Sequence, residues 1–449
     1  MADRNILKMP ADAAYRVAVG NRHRNYPAPG KDGDRLYPIA TPYKRPGFTI
    51  APDETVFALG SCFARNIERV LTEKGMSVLS TGFDFGGIEA NTTEPGNFFN
   101  KYSIHSIASE LGWAFDRESF PGEAILYQGR EGEGVFDLQL GSALLKSPLD
   151  EVLAFRHRYL DAIALAAEAD VVIVTLGYVE TWYDTELDLY LNVAPIPNLI
   201  KRMPGRFEFR VLGYQDVLDG LRETYRLLSA HRTRPMKMLV TVSPVPLKTT
   251  FRDMDVLVAN AYSKSVQRAA IDEFLLETRD VDYFPSYEFV TLSHPDTTWR
   301  PSDYRHLSLD FVNHIMTHVL GTYLPGTATG DAPDTAIETR DLLAAARLKV
   351  RAGEHGAALA LIDARADLVA DSDGLLLTRE TCLNELGREA ETGAVLARLV
   401  EIAPGRPRPL ERLISIASDA GDTGEVARLL HLHRERFPNR DAFREQAVG

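Results

Sequence analysis

Ser61, Asp303 and His306 are the residue types of a hydrolytic triad, with the serine early in the chain and the Asp-x-x-His pair late. Ser61 lies in Leu59-Gly60-Ser61-Cys62-Phe63-Ala64. An apolar run, Thr55-Val56-Phe57-Ala58, precedes it, and a helical pattern follows with Phe63, Ile67, Val70 and Leu71 on one face. A serine at such a strand-to-helix turn holds its hydroxyl at the carboxyl edge of a sheet. Its N–H sits at a helix N-terminus, where negative charge is favoured. That is a seat for a nucleophile in acyl transfer. It is equally a seat for a serine that only caps a helix.

A nucleophilic serine needs a base, and the base needs an orienting acid. Pro301-Ser302-Asp303-Tyr304-Arg305-His306-Leu307-Ser308 offers both. Asp303 and His306 are three residues apart at the start of a helical stretch, so their side chains can share one face. Asp303 would accept from one ring nitrogen and leave the other for the serine. The plainer reading makes Asp303 a helix cap and His306 a surface histidine. Two more segments carry polar groups to the same edge. Thr175-Leu176-Gly177-Tyr178-Val179-Glu180-Thr181-Trp182 follows the strongest apolar run, and Gly177 there permits close approach of a substrate or a backbone. Gly96-Asn97-Phe98-Phe99-Asn100-Lys101-Tyr102 offers amide and backbone donors for a developing oxyanion. Each also reads blandly: Glu180 as a salt-bridged residue, Trp182 as packing, and the Gly96 segment as a polar turn before a helix near Ser103. Cys62 invites a thiol mechanism, yet its apolar neighbours point to a buried, inert cysteine.

These residues need a scaffold. Residues 1–50 are rich in Pro, Arg, Asn, Tyr and Gly without a sustained period, and read as an extended arm lying on the next domain. Over 51–324 strand-like runs (Val56–Leu59, Val78-Leu79, Val171–Val174, Met238–Val242, Phe289-Val290) alternate with helical periods (Glu151–Ala169, Tyr214–Ala230, Val256–Thr278). That alternation predicts an α/β fold, a parallel sheet sandwiched by helices, with reactive groups beyond the carboxyl ends of the strands. A linker follows at 325–335, then an all-helical region over 336–449. In that region Gly353, Gly387 and Gly421 recur every 34 residues, as do Pro404 and Pro438. Leu361-Ile362, Val395-Leu396 and Leu429-Leu430 keep the same register. The period resembles the tetratricopeptide (TPR) repeat, a helix–turn–helix stack with a concave surface suited to a protein partner.

Composition excludes several classes. A formal net charge of −13 argues against a general nucleic-acid binder and an anionic membrane surface. Two cysteines, Cys62 and Cys382, make neither a disulfide framework nor a metal site. No lysine follows the glycine turn as in a phosphate-binding loop. No metal and no cofactor is expected. With no signal-peptide pattern and no run of about 18 apolar residues, the expectation is a cytoplasmic protein without a transmembrane segment.

The ordered segments resemble the GSCFA-domain family, whose signature stands complete at Gly60-Ser61-Cys62-Phe63-Ala64, over roughly residues 36–320. The likeness includes the Gly96-Asn97 segment, Thr175-Leu176-Gly177 with Glu180 and Trp182, and Val242-Ser243-Pro244-Val245-Pro246. It also includes Asn260-Ala261-Tyr262-Ser263-Lys264-Ser265, Tyr283–Glu288 and the Asp303/His306 pair. That family looks like a branch of the SGNH (GDSL-type) hydrolases, which implies a flavodoxin-like sheet. The resemblance further implies Ser61 as nucleophile, His306 as general base, Asp303 as its orienter, and the Ser61 N–H as one oxyanion donor. Gly60, Cys62, Gly96, Asn97, Asn100, Gly177, Glu180 and Trp182 then belong to the oxyanion and substrate-binding set. The sequence departs from the superfamily at Gly177-Tyr178-Val179-Glu180, where an asparagine donor would stand. Either Asn97 or Asn100 completes the hole, or it is incomplete. The activity expected is an esterase or O-acyltransferase acting on an acylated carbohydrate or another ester. The alternative is a degenerate domain that recruits partners through its repeats, in polysaccharide production for example.

Overall fold

The computed structural model describes residues 7–21, 23–28, 35–90, 95–130, 132, 134–141, 144–300, 303–324, 334–370, 372–437 and 443. The chain divides into two compact units, Met1–Ala328 and Thr329–Gly449.

The first unit is built on four parallel strands, β1 (Val56–Gly60), β2 (Val171–Leu176), β3 (Lys237–Val242) and β4 (Val281–Tyr283), adjacent in that order. Every residue of β1 and β2 is buried, as both-face coverage of a parallel sheet requires. Side chains alternate between two cores. Phe57, Leu59, Val172, Val174 and Val240 face the helices Ile104–Phe115, Leu149–Ala164, Tyr214–Ala230 and Val256–Glu277. Val56, Ala58, Ile173 and Leu239 face the helices Cys62–Glu73 and Leu309–Tyr323. On the free edge of β1, Val78 makes one parallel bridge to Val56. The spatial order from Val78 through β4 is therefore the flavodoxin-like 2-1-3-4-5, with the second strand reduced to a single bridge. The chain leaves β1 toward one edge and later returns to the other side, so the topological switch point lies at the carboxyl end of β1. Ser61 stands there.

Several expectations are corrected. Val78-Leu79 is that one bridge followed by a 3-10 turn, Leu79–Thr81. Phe289-Val290 lies in the helix Ser286–Leu292, because a short buried apolar pair fits either periodicity. The arm is not wholly extended: Ala11–Gly20 is helical and buries none of its residues. Its later part docks by backbone hydrogen bonds, Ala40 N–H to Ser293 Oγ at 2.7 Å, Gly47 N–H to Asp282 Oδ2 at 2.8 Å, and Ile50 N–H to the Tyr323 carbonyl at 2.6 Å. Two small antiparallel sheets are inserted between β1 and β3. One joins Leu126–Gln128, Val135–Asp137 and Leu144–Leu145, and the other places Glu180–Asp184 between Leu189–Leu191 and Phe207–Val211.

The second unit contains three helix pairs: Asp334–Arg351 with His355–Asp363, Asp373–Glu385 with Glu389–Ile402, and Pro407–Asp419 with Thr423–Arg436. Each pair turns at one of the spaced glycines. Gly353, Gly387 and Gly421 have φ of +76°, +67° and +71°, the left-handed conformation that ends a helix. The apolar pairs supply the buried Ile362, Val395, Leu396 and Leu429. Pro438 and residues 325–333 of the expected linker lie outside the described residues. Among the described residues, no helix is long and apolar enough to cross a membrane.

Candidate active site

Gly60 ends β1 at φ +119°, and a Cβ added there would lie 2.1 Å from the Thr175 carbonyl oxygen. Only glycine fits. Ser61 then takes an extended conformation and caps the helix Cys62–Glu73. Its Oγ lies 3.1 Å from Thr175 Oγ1 and accepts from Phe63 N–H at 3.4 Å. The side chain is nearly enclosed, with 2% of the residue exposed. The Ser61 N–H donates to the Thr175 carbonyl at 3.1 Å, which extends the β1–β2 ladder by one bond. This corrects the expectation that it faces an oxyanion. The next N–H, that of Cys62, is the first orphan donor of the helix and reaches no other residue among those described. Burial pushes the Cys62 thiol up, against the pull of the Lys264, Arg305 and Arg65 charges. The thiol is therefore protonated at neutral pH.

The Gly96–Tyr102 segment runs beside this turn. Its start is a 3-10 helix, Pro95–Phe99, followed by a parallel bridge between Asn100 and Gly60 and a 2.7 Å bond from Lys101 N–H to the Gly60 carbonyl. Asn100 is buried next to the nucleophile turn, and its Nδ2 donates to Asn97 Oδ1 at 3.1 Å. Gly96 is exposed and lies against the Arg65 side chain. Asn192 clamps the segment: its Oδ1 accepts from Tyr102 N–H at 2.7 Å, and its Nδ2 donates to the Asn100 carbonyl at 2.8 Å. Behind it lies a fully buried ionic network. Lys101 pairs with Glu110 at 2.8 Å, and Arg156 pairs with Glu110 at 3.1 Å and Asp137 at 2.9 Å. Burial pushes Glu110 up, but Arg156 and Lys101 outweigh it and hold the carboxyl below its usual range.

The Gly177 segment forms the third wall. A Cβ at Gly177 would lie 2.6 Å from the Tyr102 carbonyl oxygen, which instead accepts from Tyr178 N–H at 2.7 Å. The two tyrosine rings stack at 5.8 Å. Val179 is wholly buried, with its N–H on Ser263 Oγ at 3.1 Å. Glu180 and Trp182 start the middle strand of the inserted sheet and buttress a loop. Glu180 accepts from Thr250 Oγ1 at 2.7 Å and from Phe251 N–H at 3.3 Å, and Trp182 packs edge-on against Phe251 at 5.1 Å. Neither touches Ser61 among the described residues.

Lys264 is fully buried beneath this wall and donates to the Gly177 carbonyl at 2.8 Å. Burial pushes its ammonium down to about 7. Between that value and the ordinary lysine range the unfolded chain binds more protons than the folded one, so stability rises with pH across this window and is lost as pH falls through 7. Comparing wild type with Lys264→Met by urea unfolding at pH 7 and pH 9 isolates the contribution. The difference should move in favour of wild type by up to about 1.4 kcal/mol per pH unit. A difference that stays flat would mean that the ammonium is solvated.

Asp303 and His306 lie in the turn before the helix Leu309–Tyr323. His306 Nδ1 is 2.8 Å from Asp303 Oδ2, while Asp303 Oδ1 accepts the N–H groups of His306 at 2.6 Å and Arg305 at 2.7 Å. These hydrogen bonds hold the Asp303 carboxyl well below the usual carboxylate range. The His306 side chain is 48% exposed. Among the described residues no hydrogen bond joins His306 to Ser61, whose hydroxyl rests on Thr175. Such bonds commonly tighten only with substrate in place. The Arg305 charge pulls against the upward push of burial on the Cys62 thiol and the Tyr178 hydroxyl.

Sequence reasoning missed Thr175, Asn192, Ser263 and Lys264. Thr175 reads as strand. The last two lie in the Asn260–Ser265 segment of the family likeness but were given no role; a further signal was polarity on the inward face Ala259, Ser263, Lys264, Gln267, Ala270 of an otherwise apolar-facing helix. No group of three or more metal-ligating side chains occurs among the described residues. No curated protein and no solved structure matches the chain. The GSCFA family model matches residues 55–319, from the first residues before β1 to the helix after His306, and so takes in every wall of this site. The chain belongs to the GSCFA family.

Proposed function

We propose that the protein is a serine esterase or O-acyltransferase that acts on O-acyl groups, acetyl among them, of a carbohydrate or another ester. The observation that supports this reading is the Asp303–His306 contact, with Nδ1 at 2.8 Å from Oδ2, in a chain that also carries Ser61 at its switch point. Asp303 fixes the tautomer, so Nε2 can take a proton. Ser61 Oγ attacks the ester carbonyl carbon as its proton passes to His306 Nε2. The oxyanion meets the Cys62 N–H and the Asn100 amide. The carbon–oxygen bond to the leaving alcohol breaks, and His306 returns the proton to that oxygen. Water or a sugar hydroxyl then attacks the acyl-enzyme as His306 takes its proton, the bond between the acyl carbon and Ser61 Oγ breaks, and His306 returns the proton to Oγ.

The test is labelling by a fluorophosphonate probe, located by peptide mapping. Wild type should label at Ser61, and His306→Ala should label at least about 100-fold more slowly, the usual scale of general-base assistance. Equal labelling rates would remove the base role. A second reading, a binding or assembly protein acting through residues 336–449, is favoured by Val179 at the asparagine position and by the Ser61–Thr175 hydrogen bond. A folded wild type that leaves Ser61 unlabelled would decide for it.

A further inference from the structure

The chain carries 13 more acidic than basic residues, yet the charges of Arg65, Lys264 and Arg305, from three separate elements, all act on Cys62. Arg65 reaches back from the helix Cys62–Glu73 and is neutralised by Glu68 at 2.7 Å. Lys264 and Arg305 are not neutralised. Among the described residues neither forms an ion pair. The Lys264 ammonium, with no exposure, has one neutral acceptor, the Gly177 carbonyl, and lies 5.1 Å from the Tyr178 ring centre. Arg305 Nε is buried without a hydrogen-bond partner. The nearest carboxylate in the chain, Asp303, is committed to His306 and to backbone N–H groups. A buried ammonium without a counter-ion is costly, and a guanidinium with an unused buried donor is an opening for an oxyanion. The positive end of the helix at Cys62 adds to the same field.

We propose that Arg305 and Lys264 form an anion-recognition pair, so that the ester taken by this site carries a carboxylate, phosphate or sulfate group close to its acyl bond. Arg305 supplies the contact, and Lys264 supplies charge from behind the Gly177 peptide. The word ester rests on the esterase reading, but the anion site does not.

Two measurements on the full chain separate these. The first is binding of sulfate, phosphate and acetate, read as a saturable rise in melting temperature. Wild type should bind at least one of them. Arg305→Gln and Lys264→Met should each weaken that binding at least tenfold, and Ser61→Ala should retain it. The strongest of the three ions identifies the group. The second is the ratio of kcat/KM for mono-p-nitrophenyl succinate over p-nitrophenyl acetate. It should exceed ten in wild type and fall toward one in Arg305→Gln. Binding that Arg305→Gln leaves intact, no saturable binding of any of the three, or a wild-type ratio of one would each overturn the proposal. Anion binding that depends on Arg305 in a chain without esterase activity would sustain the site and sink the esterase reading.

Discussion

Ser61→Ala should lower hydrolysis of p-nitrophenyl acetate by at least about 10³-fold while leaving a folded protein. The loss is large because the hydroxyl is the bond-forming atom, and nothing adjacent replaces it. Cys62 carries the adjacent thiol, but burial keeps it protonated. The structural cost should be small. The Ser61 cap bond to Phe63 N–H is long at 3.4 Å, and loss of an N-cap costs about 1 kcal/mol. The Thr175 hydroxyl loses one partner across 3.1 Å. Activity and melting temperature should therefore separate. A variant that turns over as fast as wild type would end the serine mechanism, whatever its stability.

Gly60→Ala should be among the most destabilising single-methyl changes in the first unit. The methyl would lie 2.1 Å from the Thr175 carbonyl oxygen, 2.7 Å from its Oγ1 and 2.9 Å from its carbonyl carbon, at φ +119°. The first and last are backbone atoms of the neighbouring strand and cannot rotate away. Backbone strain together with overpacking amounts to at least about 3 kcal/mol. Gly75→Ala is the control. Its φ is +81°, but nothing lies within 4 Å of the added methyl, so only the conformational cost of about 1 kcal/mol remains. Thermal unfolding of the two variants should place Gly60→Ala several degrees lower. If the two melt together, the close packing of β1 on β2 at this point is wrong.

Much of the scaffold was legible because buried parallel strands announce themselves. Val171–Val174 is an unbroken apolar run, Met238–Val242 is interrupted only by Thr241, and Tyr214–Ala230 has both of its ends where the periodicity puts them. The 34-residue spacing was legible because a left-handed turn tolerates glycine above other residues. The inserted antiparallel strands were not, since most are three residues or fewer and too short to show an alternating period. Phe289-Val290 was misread for the same reason. At the site, Asp303 and His306 were legible because their contact is local, three residues apart. Lys264, Asn192 and Thr175 were not, because each acts on a segment 87 or more positions away: Lys264 on Gly177, Asn192 on Asn100 and Tyr102, Thr175 on Ser61. Nothing in the local sequence of either partner records such a contact. The fate of the Ser61 N–H belongs with these. Local sequence places it at a helix terminus, and only the neighbouring strand decides that a carbonyl claims it.

That claimed N–H ties Ser61 to the cooperative unit of the sheet. Loops around an active site ordinarily open and close on their own, at a free energy well below that of global unfolding. Here the serine has no such independence. Its amide is the last rung between two fully buried central strands, so any fluctuation that releases it is a separation of β1 from β2. The surrounding loops, including the one buttressed by Glu180 and Trp182, can therefore diverge in length and composition between relatives without moving the reacting atom. The position of Ser61 and the integrity of the central sheet are therefore one property of the fold.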